Sequence, residues 1–399
     1  MKKGFIMFVI IILLALASLF AYKFFLQEQN KSLETFQEQS GIQEEVVEEV
    51  LPKEDIHIKM SAIGDIMCHN SQYKDAYNSK TGTYNFSYVF EDIKEYISSA
   101  DIAIGNLETT FAGKQKGYSN YPRFNTPEQL ATDLKEFGID VLSTANNHCM
   151  DTNYAGLVST LKYLDEAGID HTGTSETREE QKEILVKDVN GIKIAFLSFT
   201  YGTNGIPVPS DKSFSVNLID DKLILEQIEL AKKQSPDLIC VNMHWGIEYQ
   251  TKQNIEQERL TNLLFQNGVD IILGSHPHVL QPMEKKMVTL EDGTTKECFV
   301  IYSLGNFMSG QTKENTKNSV ILNIDITKNG ETGKITLDNV EYVPIYMYKA
   351  STGSTQRYKV IDIEKTISNY ESGDTTIGQA TCNTLKKELI KIQNTMNFN

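Results

Sequence analysis

Positive charge is scarce in this chain. Its 399 residues hold 38 Lys and Arg against 53 Asp and Glu, a net charge of −15, and no Arg/Lys cluster or basic-aromatic stripe offsets the deficit. An electrostatic footprint for nucleic acid is therefore missing, and no nucleic-acid partner is expected. A polyanionic partner would need local positive charge or a metal ion. Cysteine is also sparse: the five, at 68, 149, 240, 298 and 382, include no CxxC pair, and an odd count in a long chain argues against a disulfide framework. Cys68 and Cys149 each adjoin a candidate site histidine, near enough for a pair or a metal contact. Small residues packing at strand ends explain them more simply. No internal repeat is present, and the only low-complexity tract is an acidic stretch near the N-terminus.

That stretch follows a long hydrophobic run. Lys2 and Lys3 precede an almost wholly apolar segment from Gly4 to Ala21, then Lys23 and Phe24 to Leu26. About 20 apolar residues behind a short basic end predict a transmembrane helix over 1–26 with a cytoplasmic N-terminus. The run exceeds a typical signal-peptide core and no lipobox cysteine follows, so a retained single-pass anchor is expected rather than a cleaved leader. Residues 27–55 carry nine acidic side chains against Lys31 and Lys53, which reads as a solvated stalk. Residues 56–350 are enough for one large domain, and 351–399 form a C-terminal extension in which Leu385 to Ile392 has a helical pattern.

Short apolar, β-rich runs at 56–63, 102–104, 141–143, 192–199, 238–242, 271–273, 299–302 and 320–326 predict strands, with a further β segment at 331–350. Amphipathic stretches at 87–98, 127–137, 154–167, 220–234 and 256–266 predict helices, three of them followed by Gly138, Gly168 and Gly268. The alternation predicts an α/β sheet protein.

Five of the seven histidines fall in four short blocks: GDIMCHN (64–70), TANNHCMD (144–151), MHWGIE (243–248) and GSHPHV (274–279). A fifth block, IGNLE (104–108), contributes Asn106 and Glu108. Each block follows a predicted strand, where ligands bind in α/β sheets. Asp65, His276 and His278 suffice for one divalent cation, and Asn147, His244 and Glu108 supply an amide, an imidazole and a carboxylate for a second. Two such ions would clamp a phosphoryl or acyl oxygen. His148 is better placed to give a proton to a leaving oxygen, with Asp151 orienting it. His69 reads equally as ligand, supporting donor or surface histidine. His57 and His171 lie outside the blocks, and the single tryptophan, Trp245, is expected to pack beneath the loop that carries His244.

The ordered marks GDIM (64–67), NLE (106–108), ANNH (145–148), HWGIE (244–248), GSHPHVLQP (274–282) and SLGNF (303–307) resemble the CapA family of poly-γ-glutamate capsule synthesis proteins, which is similar to calcineurin-like metallophosphoesterases. The resemblance implies a four-layer α/β/β/α sandwich with the site at one edge, outside the membrane of a Gram-positive-type cell. It implies work beside membrane ligase and export subunits on an anionic surface polymer. It also implies metal roles for Asp65, Asn147, His244, His276 and His278 with one or two Mn, Fe or Zn ions, and proton donation by His148. Two positions depart from the phosphoesterase pattern: Met67 stands where a His is expected, and Asn106 where an Asp is expected. Glu108 and His69 are the candidates to compensate, with Asn106 and His69 otherwise supporting the ligands. The expected function is synthesis, export or release of poly-γ-glutamate or a similar polymer through a hydrolase-like site. A surface phosphoesterase and a non-catalytic polymer-binding subunit are the alternatives.

Overall fold

A computed structural model describes residues 16–32, 35, 53–351, 353 and 355–397. It divides into two compact units, 1–52 and 53–399. In the first unit residues 16–32 are helical and expose Leu16, Leu19, Phe20, Phe24 and Phe25. The expected span over 1–26 begins outside the described residues, as does most of the stalk; no helix among the described residues is long and apolar enough to cross a membrane.

The second unit is built on two sheets. In the first, β1 (Ile56–Met67), β2 (Ile102–Leu107), β3 (Val141–Ser143) and β4 (Asp170–Thr172) run parallel in that order. The second contains β5 (Leu185–Val189), β6 (Ile192–Thr200), β7 (Leu238–His244), β8 (Ile271–Ser275), β9 (Leu280–Thr289) and β10 (Thr295–Leu304), in the spatial order β9-β10-β8-β7-β6-β5. The chain then returns to the first sheet through β11 (Asn306–Ser309), β12 (Asn318–Lys328), β13 (Ile335–Lys349) and β14 (Tyr358–Asp362). The last three extend that sheet antiparallel from β1, and β11 pairs with β1 in parallel.

Side-chain alternation explains the layering. Ile192, Ile194 and Phe196 of β6 join Ile58, Met60, Ile102 and Ile104 in one core between the sheets. Ala195, Leu197 and Phe199 face the opposite way, onto the helices Asp221–Lys233 and Ile255–Gln266. Ala103, Leu107 and Leu142 of the first sheet do the same toward the segment 87–98 and the helix Gln129–Phe137. With both faces buried, the strands read as near-continuous apolar runs. The result is helices, sheet, sheet and helices.

The α/β class predicted from the alternation is therefore present, with differences in detail. The segment 87–98 is not one helix but two short ones separated by a 3-10 turn at Glu91–Ile93. β4, β5, β9, β11 and β14 were not predicted. β9 carries Glu284, Lys285 and Lys286 between its apolar residues and lies at a sheet edge against β10, where polar side chains are tolerated. Beyond residue 350, β14 and the helices Ile363–Glu371 and Gln379–Met396 add Ile361, Ile367, Leu385, Ile392 and Met396 to the core between the sheets.

Candidate metal centre

The carboxyl ends of β1, β2, β3, β7 and β8 meet at one edge of the sandwich. On β7, Leu238 and Cys240 face the other sheet, so period-2 alternation carries Asn242 and His244 to that same face. Asn106 follows Ile102 and Ile104 in the same way. β1 needs a device. Ile58, Met60 and Ala62 face inward, yet Ile63 and Ile66 both face outward, so the alternation breaks between them. The break coincides with a β-bulge between Ala62 and Asp65 in the pairing with β2. It turns Asp65, and with it Met67, toward the second sheet; bulges commonly re-aim side chains in this way.

Two motif glycines let the backbones close up. A Cβ on Gly64 would run into the carbonyl oxygen of Gly305, and one on Gly274 into that of Tyr302. The Gly305 carbonyl then accepts the N–H of Asp65 at 2.9 Å. GDIM and SLGNF therefore lock to each other through their backbones.

The ligand-type side chains are all buried, none more than 4% exposed. Oδ2 of Asp65 lies 3.0 Å from Nδ1 of His278, and Oδ1 accepts from Nδ2 of Asn106 at 2.8 Å. Oε1 of Glu108 stands 3.7 Å from Nε2 of His244 and 3.8 Å from Nε2 of His278. Nε2 of His244 is 2.8 Å from Oδ1 of Asn147. Two overlapping groups result, Glu108 with His244 and His276, and Asp65 with Glu108 and His278; within each, the candidate ligand atoms lie within 4.8 Å of one another. Glu108 is common to both. His276 and His278 have φ of 98° and 60°, left-handed values that cost on the order of 1–3 kcal/mol each in a non-glycine residue and persist where surroundings over-determine them.

Charge at this edge is suppressed. Burial, reinforced by Asp65 and Glu248, pushes the Glu108 carboxyl well above the usual range. Burial, reinforced by neighbouring imidazoles, holds His244 well below its ordinary value and takes His276 down to about 3. Both imidazoles are therefore neutral, the form that ligates a metal. Both oxygens of Glu108 and Nδ1 of His276 are buried without a hydrogen-bond partner. Orphaned acceptors in a buried site normally have an unseen partner, and three imidazoles with two carboxyl groups suit a divalent cation. The residues present fit one.

His148 lies beside this cradle. Its Nδ1 is 2.7 Å from Oδ2 of Asp151, which also accepts the N–H of Phe124 at 2.6 Å. The Phe124 ring contacts both His148 and His69 edge-on, at 4.8 and 5.1 Å between centroids. His69 is set apart from both ligand groups: its Nδ1 accepts the N–H of Gly310 at 3.0 Å, and its own N–H donates to Gln72 as the helix Asn70–Ala76 begins. Burial takes the His69 ring down to about 4. Cys68 and Cys149 do not pair and touch neither group; both are free, buried and packed in separate apolar clusters. Trp245 is buried and donates Nε1–H to the Tyr302 carbonyl at 2.9 Å. His57 pairs with Thr327 and His171 with Asp165, away from the cradle.

Four residues of the site were not singled out in the sequence. Asn146 donates to the Leu107 carbonyl at 2.7 Å, tying its block to IGNLE, and its Oδ1 accepts the His148 N–H at 3.1 Å within its own block. Gln281 donates to the carbonyls of Gln250 and Lys252, fixing the loop after HWGIE. Both lie inside the quoted motifs, which was their signal. Tyr201, whose ring lies 4.5 Å from that of His276, and Asn204 follow β6, a strand with no histidine to mark it.

The fold and site define an α/β sandwich with a His-carboxylate cradle at the carboxyl edge of its strands. The chain belongs to the family described as bacterial capsule synthesis protein PGA_cap, whose model matches residues 59–311. It is 33% identical over 294 residues to the capsule biosynthesis protein CapA of Bacillus anthracis, covering 72% of this chain and 68% of that protein. It is 29% identical over 303 residues to the PGA biosynthesis protein CapA of Bacillus subtilis (strain 168), covering 75% and 74%. Likeness to solved structures is looser: for the Haemophilus influenzae NAD nucleotidase the identity is 13% and the TM-score 0.44, with 87% of this chain spanning 57% of that one.

Proposed function

We propose that this protein takes part in the synthesis, export or release of poly-γ-glutamate or a similar anionic surface polymer through a metal-dependent, hydrolase-like site. In this reading it is held by an N-terminal single-pass anchor with the main domain outside the membrane, beside membrane ligase and export subunits. The polymer assignment is supported by the names of the CapA relatives. The observation that carries the catalytic assignment is the buried Glu108 carboxyl with both oxygens unpartnered between two imidazole groups.

Asp65, Glu108, Asn147, His244, His276 and His278 would hold one or two Mn, Fe or Zn ions. A divalent cation there would polarise a carbonyl or phosphoryl oxygen and lower the pKa of water. His148, steadied at Nδ1 by Asp151, presents Nε2 to a leaving oxygen as proton donor. The burial of the whole cluster strengthens each of these interactions.

The test is metal content of the full-length chain purified without chelator, wild type beside His276→Ala and Asp65→Ala, with surface polymer measured in a deletion strain complemented by each. One or two ions per wild-type chain, lost in the variants together with polymer, is the expected result. Unchanged polymer on deletion would overturn the assignment. One observation favours a second reading, a polymer-binding subunit without turnover: Asn106 lies between Asp65 and His244 and makes the cradle less anionic than an Asp would. Polymer restored by the metal-free variants would establish it.

A further inference from the structure

Asn204 belongs to no motif and lies at the tip of the turn that follows β6. The turn is tightly specified. Thr203 Oγ1 donates to the Ile206 carbonyl at 2.6 Å, and the Ile206 N–H donates to the Thr203 carbonyl at 2.9 Å. Asn204 and Gly205 have φ of 51° and 75°, values that Asn tolerates better than most side chains. Asn204 is exposed, yet its polar atoms reach buried ones. Oδ1 accepts from Nδ2 of Asn147 at 3.1 Å, and Nδ2 lies 3.4 Å from Nε2 of His148.

These contacts decide two things that size and shape leave open. The two ends of a carboxamide are nearly isosteric, so packing alone does not fix which end of Asn147 faces the cradle; hydrogen bonding does. By accepting from Nδ2, Asn204 leaves Oδ1 of Asn147 directed at Nε2 of His244, 2.8 Å away. The opposite orientation would present two N–H donors to a cation. For His148, Asp151 takes the Nδ1 side, and an N–H from Asn204 at Nε2 places the resting proton on Nδ1, so that Nε2 first takes up a proton before giving one to a leaving oxygen.

We propose that Asn204 is a positioning residue that sets the amide orientation of Asn147 and the tautomer of His148, coupling the ligand side of the site to its proton-transfer side. Its consequence for metal affinity rests on the metal-cradle reading above; the orientation and tautomer do not.

The test uses the full-length chain in detergent, labelled with 15N at Asn and His side chains and stripped of metal, with Mn2+ titrated separately. In Asn204→Ala, proton exchange of the Asn147 side-chain amide is expected to accelerate at least about 10-fold and the His148 ring nitrogens to shift toward mixed tautomers. Mn2+ affinity is expected to fall about 10- to 100-fold, the usual effect of losing a group that orients a ligand. In an Asn147→Asp background, where either orientation offers an oxygen, the same Asn204→Ala change is expected to cost less than about 2-fold. Unchanged Asn147 and His148 signals, or an equal Mn2+ loss in both backgrounds, would overturn the proposal. Should the wild type take up no Mn2+, the metal-cradle reading fails, and the metal-free spectra still decide this one.

Discussion

Oδ1 of Asn147 lies 2.8 Å from Nε2 of His244, although Asn147 follows β3 of the first sheet and His244 ends β7 of the second. A cation held by both would clip the two sheets together. Manganese at about 100 times its dissociation constant should therefore raise the unfolding free energy by about 2.7 kcal/mol, since it binds only the folded state. Denaturant titrations with Mn2+ and with EDTA check this. The difference should vanish in His244→Ala, and a metal effect that survives there would place the ion elsewhere.

Glu108 is the stability cost of the site. Burial and Asp65 raise its carboxyl well above the ordinary value of 4.5, so folding resists its ionisation. The penalty is absent below about pH 4.5 and grows as pH rises toward the folded pKa. Glu108→Gln should make the metal-free chain more stable by on the order of 1 kcal/mol at pH 8, with the gain fading toward pH 4.5, while abolishing metal uptake. Melting curves across that range in EDTA measure it; a variant less stable than wild type at pH 8 contradicts the assignment.

His276 carries the opposite dependence. Its pKa is lowered from 6.5 to about 3, first by burial and then by His278. A depressed histidine contributes stability that is present above pH 6.5 and lost as pH falls toward 3, because the unfolded chain takes the proton first. His276→Asn should flatten the acid limb of the metal-free stability curve by up to about 1.4 kcal/mol per pH unit. Equal slopes for the two proteins would show that this imidazole does not titrate as described.

Met67 shares the face of Asp65, two residues on along β1 and beyond the bulge, and is buried. A histidine there would point at the cradle. Met67→His should tighten Mn2+ binding by about 10-fold or more while leaving the fold intact, read by calorimetric titration and circular dichroism. Weaker binding in a folded variant would mean that the position does not reach the site.

Each block announced itself through residue type and its place after an apolar run, because a strand buried on both faces has few other ways to look and a polar block at its end has few reasons to be apolar-flanked. That much the sequence determined: the α/β class, the strand ends as the site, and the identities of Asp65, Glu108, Asn147, His244, His276 and His278 as its candidates. It could not determine facing. Period-2 alternation read from Ile58 would send Asp65 away from the second sheet, and only the bulge after Ala62 reverses it, a backbone event with no residue signature. Nor could it separate His69, engaged with Gly310 and with the start of a helix, from the histidines that meet, since all five occupy similar blocks. Asn204 was invisible because the strand before it bears no histidine. Its role arises when a turn from the second sheet reaches two residues that follow the first, and contacts between segments so far apart in the chain are settled by how the sheets pack, not by local pattern.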